Sequence, residues 1–125
     1  MPNVIHGAEE LCDVTELETD DQFQKEIKGV DAVVFFMATW CRPCRTAVAT
    51  YGPDPAIKDF RKEQKIKTVY VDVDTLWGTT GKYYIRGVPT MMAFSKQGPQ
   101  PLGMQVGSTT PDAVLKQLNE WYKKG

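Results

Sequence analysis

The chain has 125 residues, a length that predicts a single compact domain. Hydrophobic residues make up 42% and charged residues 25%, as in ordinary globular proteins. The net charge of -1 argues against broad electrostatic binding to nucleic acid or to an acidic membrane, because such binding needs a basic excess. The longest apolar run, AVVFFMA at 32–38, is too short to cross a bilayer, so no membrane association is expected.

The first residues, MPNVIHGAEELCD, lack the basic and then apolar segments of a secretory signal. Residues 1–13 show no periodicity, and we interpret them as an extension ahead of a domain at 14–125. Three cysteines are too few, and odd in number, for a disulfide-stapled secreted scaffold. A reducing compartment, the cytoplasm, is therefore the expected location.

The domain begins with a short predicted strand at 14–17. The segment TDDQFQKEIKG (19–29) predicts a helix, because Thr19 and Gln22 have capping-box spacing and Gly29 can end it. The segment DAVVFFMA (31–38) has no polar alternation, which is typical of a central strand buried on both faces. The stretch RTAVATY (45–51) is compatible with a second helix.

The prolines of GPDP (52–55) predict a break after that helix, since proline donates no backbone hydrogen bond. Asp54 and Pro55 then suit the start of another helix, PAIKDFRKEQ. Its charged stretch, KDFRKEQK (58–65), predicts a solvated face. The alternating segment KTVYVDVD (67–74) predicts the next strand.

Residues 75–87 mix turn and short-helix signals, and we expect Trp77, Tyr83 and Tyr84 to pack around that short helix. Strands are predicted at 89–95 and 103–108. A last helix opens at Thr110, with Val114, Leu118 and Trp121 on one face. This order predicts an α/β domain whose central mixed sheet is flanked by helices on both faces.

Cys41 and Cys44 follow the buried strand directly and are the candidate reactive residues. Half of a zinc site is the alternative, but structural zinc normally takes four ligands. Only His6 and Cys12 remain, and both lie in the extension, where neither is assigned a role. We therefore predict redox chemistry with no bound metal or cofactor. A metal or iron–sulfur site shared between two chains is kept as a further alternative.

Three motifs carry a resemblance to a known family: ATWCRPC at 38–44, GVPT at 87–90 and QVGS at 105–108. In this order and spacing the chain resembles the thioredoxin family over roughly residues 14–124. The resemblance implies a thioredoxin-like fold. It also implies a dithiol that reduces or exchanges protein disulfides.

The residues themselves suit that chemistry. Cys41 would lie at a helix N-terminus, where unpaired N–H groups and the helix dipole stabilise the attacking thiolate. Cys44, in the first helical turn, can then attack the mixed disulfide. Pro43 suits the first helical turn, and Arg42 adds positive charge beside the thiolate. We expect Cys41 to be the exposed thiol of the pair.

By resemblance, Pro89 is a cis proline facing the cysteine pair. The resemblance also implies that the backbone of Val88 binds a segment of the substrate. The apolar substrate-binding platform would then consist of Trp40, Pro43, Val88, Pro89, Val106 and Gly107.

The sequence departs from the family pattern near the cysteines. Arg42 replaces a glycine, Phe35 stands where a buried acid is usual, and Tyr70 stands where a lysine often pairs with that acid. We group Arg42, Phe35 and Tyr70 as residues that tune the thiolate. The loss of both charged partners avoids a stranded buried charge and predicts a stable protein with slow turnover.

The expected function is thiol–disulfide oxidoreduction on disulfide-containing proteins. A thioredoxin reductase or glutathione would recycle the dithiol, and a monomer is expected. The alternative is an interaction module of the same fold with weak or no redox turnover.

Overall fold

A computed structural model of the chain describes residues 14–122 except 16, 18, 99, 108 and 109. The predicted extension at 1–13, with His6 and Cys12, lies outside the described residues. The described elements, in chain order, are β1 (Val14–Thr15), α1 (Asp20–Ile27), β2 (Ala32–Met37), α2 (Arg42–Tyr51), α3 (Pro55–Gln64), β3 (Lys67–Asp72), α4 (Trp77–Lys82), β4 (Thr90–Phe94), β5 (Pro101–Val106) and α5 (Pro111–Tyr122).

The sheet has the strand order β1-β3-β2-β4-β5, so β2 lies at its centre. β2 pairs in parallel with β3 and antiparallel with β4, which confirms the predicted mixed sheet. β5 begins at Pro101, earlier than predicted. A proline that cannot donate to the ladder is tolerated there because β5 is an edge strand.

Both faces of the sheet are buried, as the segment at 31–38 predicts. Successive β2 side chains point to opposite faces, and all six are buried. Phe35 lies in the cluster on one face together with residues of α2, α3 and α5. Phe36 lies in the cluster on the other face with residues of α1. The cysteine pair belongs to the first cluster, so it shares a buried layer with Phe35 of β2.

The helix ends follow the capping signals in the sequence. Thr19 accepts a hydrogen bond from the Gln22 N–H, and the Gln22 side chain accepts one from the Thr19 N–H, completing the capping box. In α5, Val114, Leu118 and Trp121 all pack against the same core cluster, as predicted; Val114 and Leu118 are buried, Trp121 is half-buried, and Tyr122 is a further buried residue. In the described part of the chain, no helix is long and apolar enough to span a membrane.

The predicted break after the cysteine helix is confirmed. α2 ends at Tyr51, and α3 starts at Pro55 with Asp54 as its cap. The Asp54 carboxylate accepts from the Ile57 N–H at 3.0 Å, which satisfies one free donor of the new helix. Both α2 and α3 contribute buried residues to the core cluster on one face of the sheet.

The prediction of a solvated face for residues 58–65 is wrong at Arg61, which is only 3% exposed. Arg61 shares the inner face of α3 with Ile57 and Phe60, at helical spacing. Its guanidinium donates to the Gly52 carbonyl at 3.2 Å and to the Thr68 hydroxyl at 3.4 Å. Arg61 therefore links the helix break to β3.

Replacing Arg61 by Ala is expected to destabilise the fold by about 2–4 kcal/mol, because the change removes these donors and opens a cavity. Lys62→Ala is the matched control, since Lys62 is the exposed neighbour with the same charge. It should cost less than about 0.5 kcal/mol. Urea unfolding measures the free energy of unfolding of both variants. Equal values would contradict a stabilising role for Arg61.

Candidate active site

The loop after β2 brings Cys41 to the start of α2. Ala38, Thr39 and Trp40 form a turn closed by the Cys41 N–H, which donates to the Ala38 carbonyl at 3.1 Å. Cys41 has extended backbone angles and is the N-cap of α2, while Pro43 lies in its first turn. The strand-to-helix placement expected for the motif is therefore confirmed.

Cys41 and Cys44 form a disulfide, with their Cα atoms 5.3 Å apart. The Cys44 N–H also points to the Cys41 Sγ at 3.2 Å. This N–H belongs to the first turn of α2, where backbone donors lack partners within the helix. The fold therefore supplies a donor to the sulfur at position 41 that would favour its anionic form.

The expectation that Cys41 is the exposed thiol is wrong, since Cys41 is only 4% exposed and Cys44 is fully buried. The loop at Val88 contacts Cys41, since the Val88 carbonyl oxygen lies 3.8 Å from the Cys41 Sγ. The two cysteines differ mainly in their position on the helix, and only slightly in exposure.

The Val88–Pro89 peptide bond is cis, as the resemblance implies, and its loop lies beside the cysteine pair. The Pro89 carbonyl accepts from the Gly107 N–H at 2.8 Å, and the Thr90 hydroxyl donates to the Gly87 carbonyl at 2.7 Å. Gly107 has a φ of +87°, which other residues rarely adopt. The hydrogen bond between Pro89 and Gly107 therefore joins two loops that are distant in the sequence and lie next to Cys41.

The six residues of the expected platform differ in accessibility. Trp40 is 68% exposed and Val106 is also well exposed, as is Pro43. Val88 and Gly107 are half-buried, and Pro89 is buried. The loop at 88–89 is therefore largely covered, whereas Trp40 and Val106 offer exposed apolar side chains.

Phe35 and Tyr70 lie side by side in the buried layer beneath the cysteines. They are register partners in β2 and β3, and both are buried in the cluster that contains Cys44. The Phe35 ring packs edge-on against Tyr51, with ring centroids 4.7 Å apart. An aromatic ring thus occupies the place where the family pattern puts an acid.

The two arginines near the cysteines are both exposed. Arg45 donates to the Thr39 carbonyl at 3.2 Å and so fixes the loop ahead of Cys41. Arg42, directly after Cys41, places its positive charge at the same end of the helix. In the part of the chain that the structure describes, no group of three His, Cys, Asp or Glu side chains is arranged to hold a metal ion.

Asp74 is a site residue that the sequence reasoning missed. Its carboxylate accepts from the Trp40 indole N–H at 2.8 Å, and its own N–H donates to the Asp72 carboxylate at 2.8 Å. The sequence did contain an indication of its position, since the carboxyl ends of parallel strands meet at one edge of a sheet. Asp72 ends β3 and Asp74 follows it, and β3 is the parallel neighbour of the strand leading to Cys41.

The expectation that Trp77, Tyr83 and Tyr84 all pack around a short helix is correct only for Tyr83. The Tyr83 ring lies edge-on to the rings of Phe23 and Phe94. Trp77 and Tyr84 are 75% and 81% exposed. Trp77 begins α4 and Tyr84 lies just after its end, so aromatic character near a helix did not by itself indicate burial.

Comparisons with known proteins agree with this geometry. The family model described as Thioredoxin matches residues 14–120. Thioredoxin 1 of Nostoc sp. is 35% identical over 106 residues, covering 82% of this chain and 91% of that protein. Protein disulfide-isomerase A6 of Mesocricetus auratus is 33% identical over 109 residues, covering 86% of this chain but 24% of that longer protein.

Solved structures show the same architecture. The thioredoxin of Malassezia sympodialis superposes with a TM-score of 0.68 at 25% identity, covering 86% of this chain and 88% of that one. A thioredoxin from Nicotiana alata gives a TM-score of 0.68 at 20% identity, covering 89% and 94%, and supports the fold alone. With the cysteine pair at the helix N-terminus beside a cis proline, the chain belongs to the thioredoxin family and is a thiol–disulfide oxidoreductase.

Proposed function

We propose that the chain reduces or exchanges the disulfides of proteins, with Cys41 as the attacking residue and Cys44 as the resolving one. The observation that carries this assignment is the position of Cys41 at the N-cap of α2, where its Sγ meets the Cys44 N–H. A thiolate is the nucleophile in disulfide exchange, and this environment favours the thiolate at Cys41.

The reaction then has two exchanges. The Cys41 thiolate attacks one sulfur of the substrate disulfide, forms a mixed disulfide and releases the other sulfur as a thiolate, which takes up a proton. Cys44 loses its proton and attacks the Cys41 Sγ. The Cys41–Cys44 disulfide forms, and the second substrate sulfur leaves. Two electrons pass from the dithiol to the substrate.

The substrate segment lies, in this proposal, across the platform defined by Trp40, Pro43, Val88, Pro89, Val106 and Gly107. Support comes from the Val88 carbonyl 3.8 Å from the Cys41 Sγ and from the exposed side chains of Trp40 and Val106. Backbone contact at the loop would accept many sequences, while the flanking apolar side chains would select among them.

Recycling, location and assembly are also part of the proposal. We propose that a thioredoxin reductase or glutathione recycles the dithiol. We also propose that the chain works in the cytoplasm and as a monomer. The small, odd number of cysteines supports a reducing compartment. The family match begins at residue 14, which supports residues 14–125 as the catalytic domain and 1–13 as an extension.

An insulin-reduction assay tests this function. The purified chain should accelerate insulin precipitation with dithiothreitol as the electron source. A parallel assay with NADPH and a thioredoxin reductase tests recycling separately. No acceleration with dithiothreitol would contradict the proposal and favour an interaction module of the same fold.

Arg42 is proposed to tune the potential of the pair. Its charge stabilises the Cys41 thiolate and hence the reduced state, so Arg42→Gly should lower the reduction potential. Since Arg42 is exposed, the change in potential should not exceed about 30 mV. Equilibration with glutathione measures it, and Arg42→Lys should keep the native potential. An unchanged or higher potential in Arg42→Gly would contradict the proposed role.

A further inference from the structure

Two exposed tryptophans, Trp40 and Trp77, each donate a hydrogen bond to Asp74. The Trp40 indole N–H donates to the Asp74 carboxylate at 2.8 Å, and the Trp77 indole N–H donates to the Asp74 backbone carbonyl at 2.7 Å. Trp40 is 68% exposed and Trp77 is 75% exposed. We call these two side chains the indole pair.

The turn that carries Asp74 is fixed against the loop that carries Cys41. The Val73 N–H donates to the carbonyl of Met37, the last residue of β2, at 2.9 Å. The Thr75 N–H donates to the Asp72 carbonyl at 3.0 Å and so closes the turn. The indole pair is therefore continuous with the surface that a disulfide must reach to meet Cys41.

The helix that begins at Trp77 is also anchored. The Asp20 carboxylate accepts from the Thr79 N–H at 2.8 Å and from the Thr79 hydroxyl at 2.6 Å. The contact is close enough that a Cβ at Gly78 would lie 2.6 Å from an Asp20 oxygen. Trp77 is thus held on its own helix turn as well as by Asp74.

These contacts determine what the indole pair offers to a partner. Both polar N–H groups are used within the protein, so the exposed surface is the carbon skeleton of the two rings. Anchored aromatic rings present a large apolar area and lose little conformational entropy on binding, which is why such residues dominate interface energetics. The matching partner group is an apolar or aromatic side chain.

We propose that Trp77, together with Trp40, binds an apolar or aromatic side chain next to the reactive cysteine of a protein substrate. The inference rests on the proposed attack by Cys41. It adds Trp77 to the substrate-binding residues and assigns the chain a preference for disulfides with an apolar flank.

Two peptide disulfides that differ in one flanking residue, Phe or Ser, test the preference. The wild-type chain should reduce the Phe peptide with the higher kcat/KM. Trp77→Ala should reduce that preference by about fivefold or more, through KM. Trp77→Phe keeps an apolar ring and should retain more of the preference than Trp77→Ala. Leu102→Ala, which removes an exposed apolar side chain from β5, is the matched control and should keep the full preference.

An unchanged Phe-to-Ser ratio in Trp77→Ala would overturn the inference. This holds also where both peptides lose the same fraction of their kcat/KM, a result that would indicate a structural role for Trp77. If the wild-type chain reduces neither peptide nor insulin, the proposed function fails instead, and the two failures are distinguished in this way.

Discussion

Replacing Cys41 by Ser is expected to lower disulfide reduction by roughly three orders of magnitude or more, because the variant lacks the attacking sulfur. Replacing Cys44 by Ser should instead leave attack intact and stop the second exchange. That variant should accumulate mixed disulfides with its protein substrates. The two variants remove one sulfur atom each from the same cluster, so each is the structural control of the other.

Non-reducing gels followed by mass spectrometry measure the trapped species. Covalent complexes should form with Cys44→Ser, be released by dithiothreitol and contain the substrate bonded to Cys41. Accumulation of complexes with Cys41→Ser, bonded to Cys44, would reverse the assignment.

Phe35→Asp is the second substitution for which we expect a large effect. An acid beneath the pair can take the proton of Cys44, and a thiol in apolar surroundings is otherwise a poor nucleophile. Release of substrate from the mixed disulfide should therefore quicken by about tenfold or more. The same change should destabilise the fold by at least about 4 kcal/mol at pH 7, since it removes a packed ring and buries a charge.

Phe35→Asn separates these effects, because the amide loses the ring but accepts no proton. It should be destabilised without faster release. Single-turnover release and urea unfolding measure the two quantities. Equal release rates in Phe35→Asp and the wild-type chain would show that another group deprotonates Cys44. Asp72 is the first candidate, since it is buried and follows Tyr70 on the same face of β3.

The stability of Phe35→Asp should also depend on pH. Burial raises the pKa of the introduced carboxyl in the folded state above its unfolded value of about 3.9. The charge penalty is therefore absent below about pH 4, where the carboxyl is protonated in both states. Between the unfolded and the folded pKa, the penalty grows by about 1.4 kcal/mol for each unit that the pH rises, and it is constant above the folded pKa. Phe35→Asn should show no such dependence.

The sequence predicted those parts of the fold that local chemistry determines. The capping box at Thr19, the break at 52–55 and the two-sided burial of β2 each follow from residues close together in the chain. The Cys41–Cys44 pair was indicated by its motif, and the cis bond at Pro89 was implied by the resemblance to the thioredoxin family.

The sequence predictions failed where burial or exposure depends on a specific hydrogen bond or contact that the residue pattern does not encode. Arg61 has the helical spacing of a buried residue, but its burial depends on acceptors at Gly52 and Thr68 that the pattern could not reveal. Trp77 is held at the surface by a backbone carbonyl, whereas an aromatic residue beside a helix suggested packing. Cys41 is buried in a core cluster and contacts Val88, 47 residues away in the chain.

The central claim, that Cys41 is the nucleophile because it caps α2, has one direct test. The reduced chain is alkylated with iodoacetamide at mildly acidic pH, and the rate at each cysteine is followed by peptide mass spectrometry. The donor from Cys44 and the helix N-terminus favour the thiolate at Cys41, so Cys41 should be labelled first and Cys44 much later. Faster labelling of Cys44 would contradict the assignment.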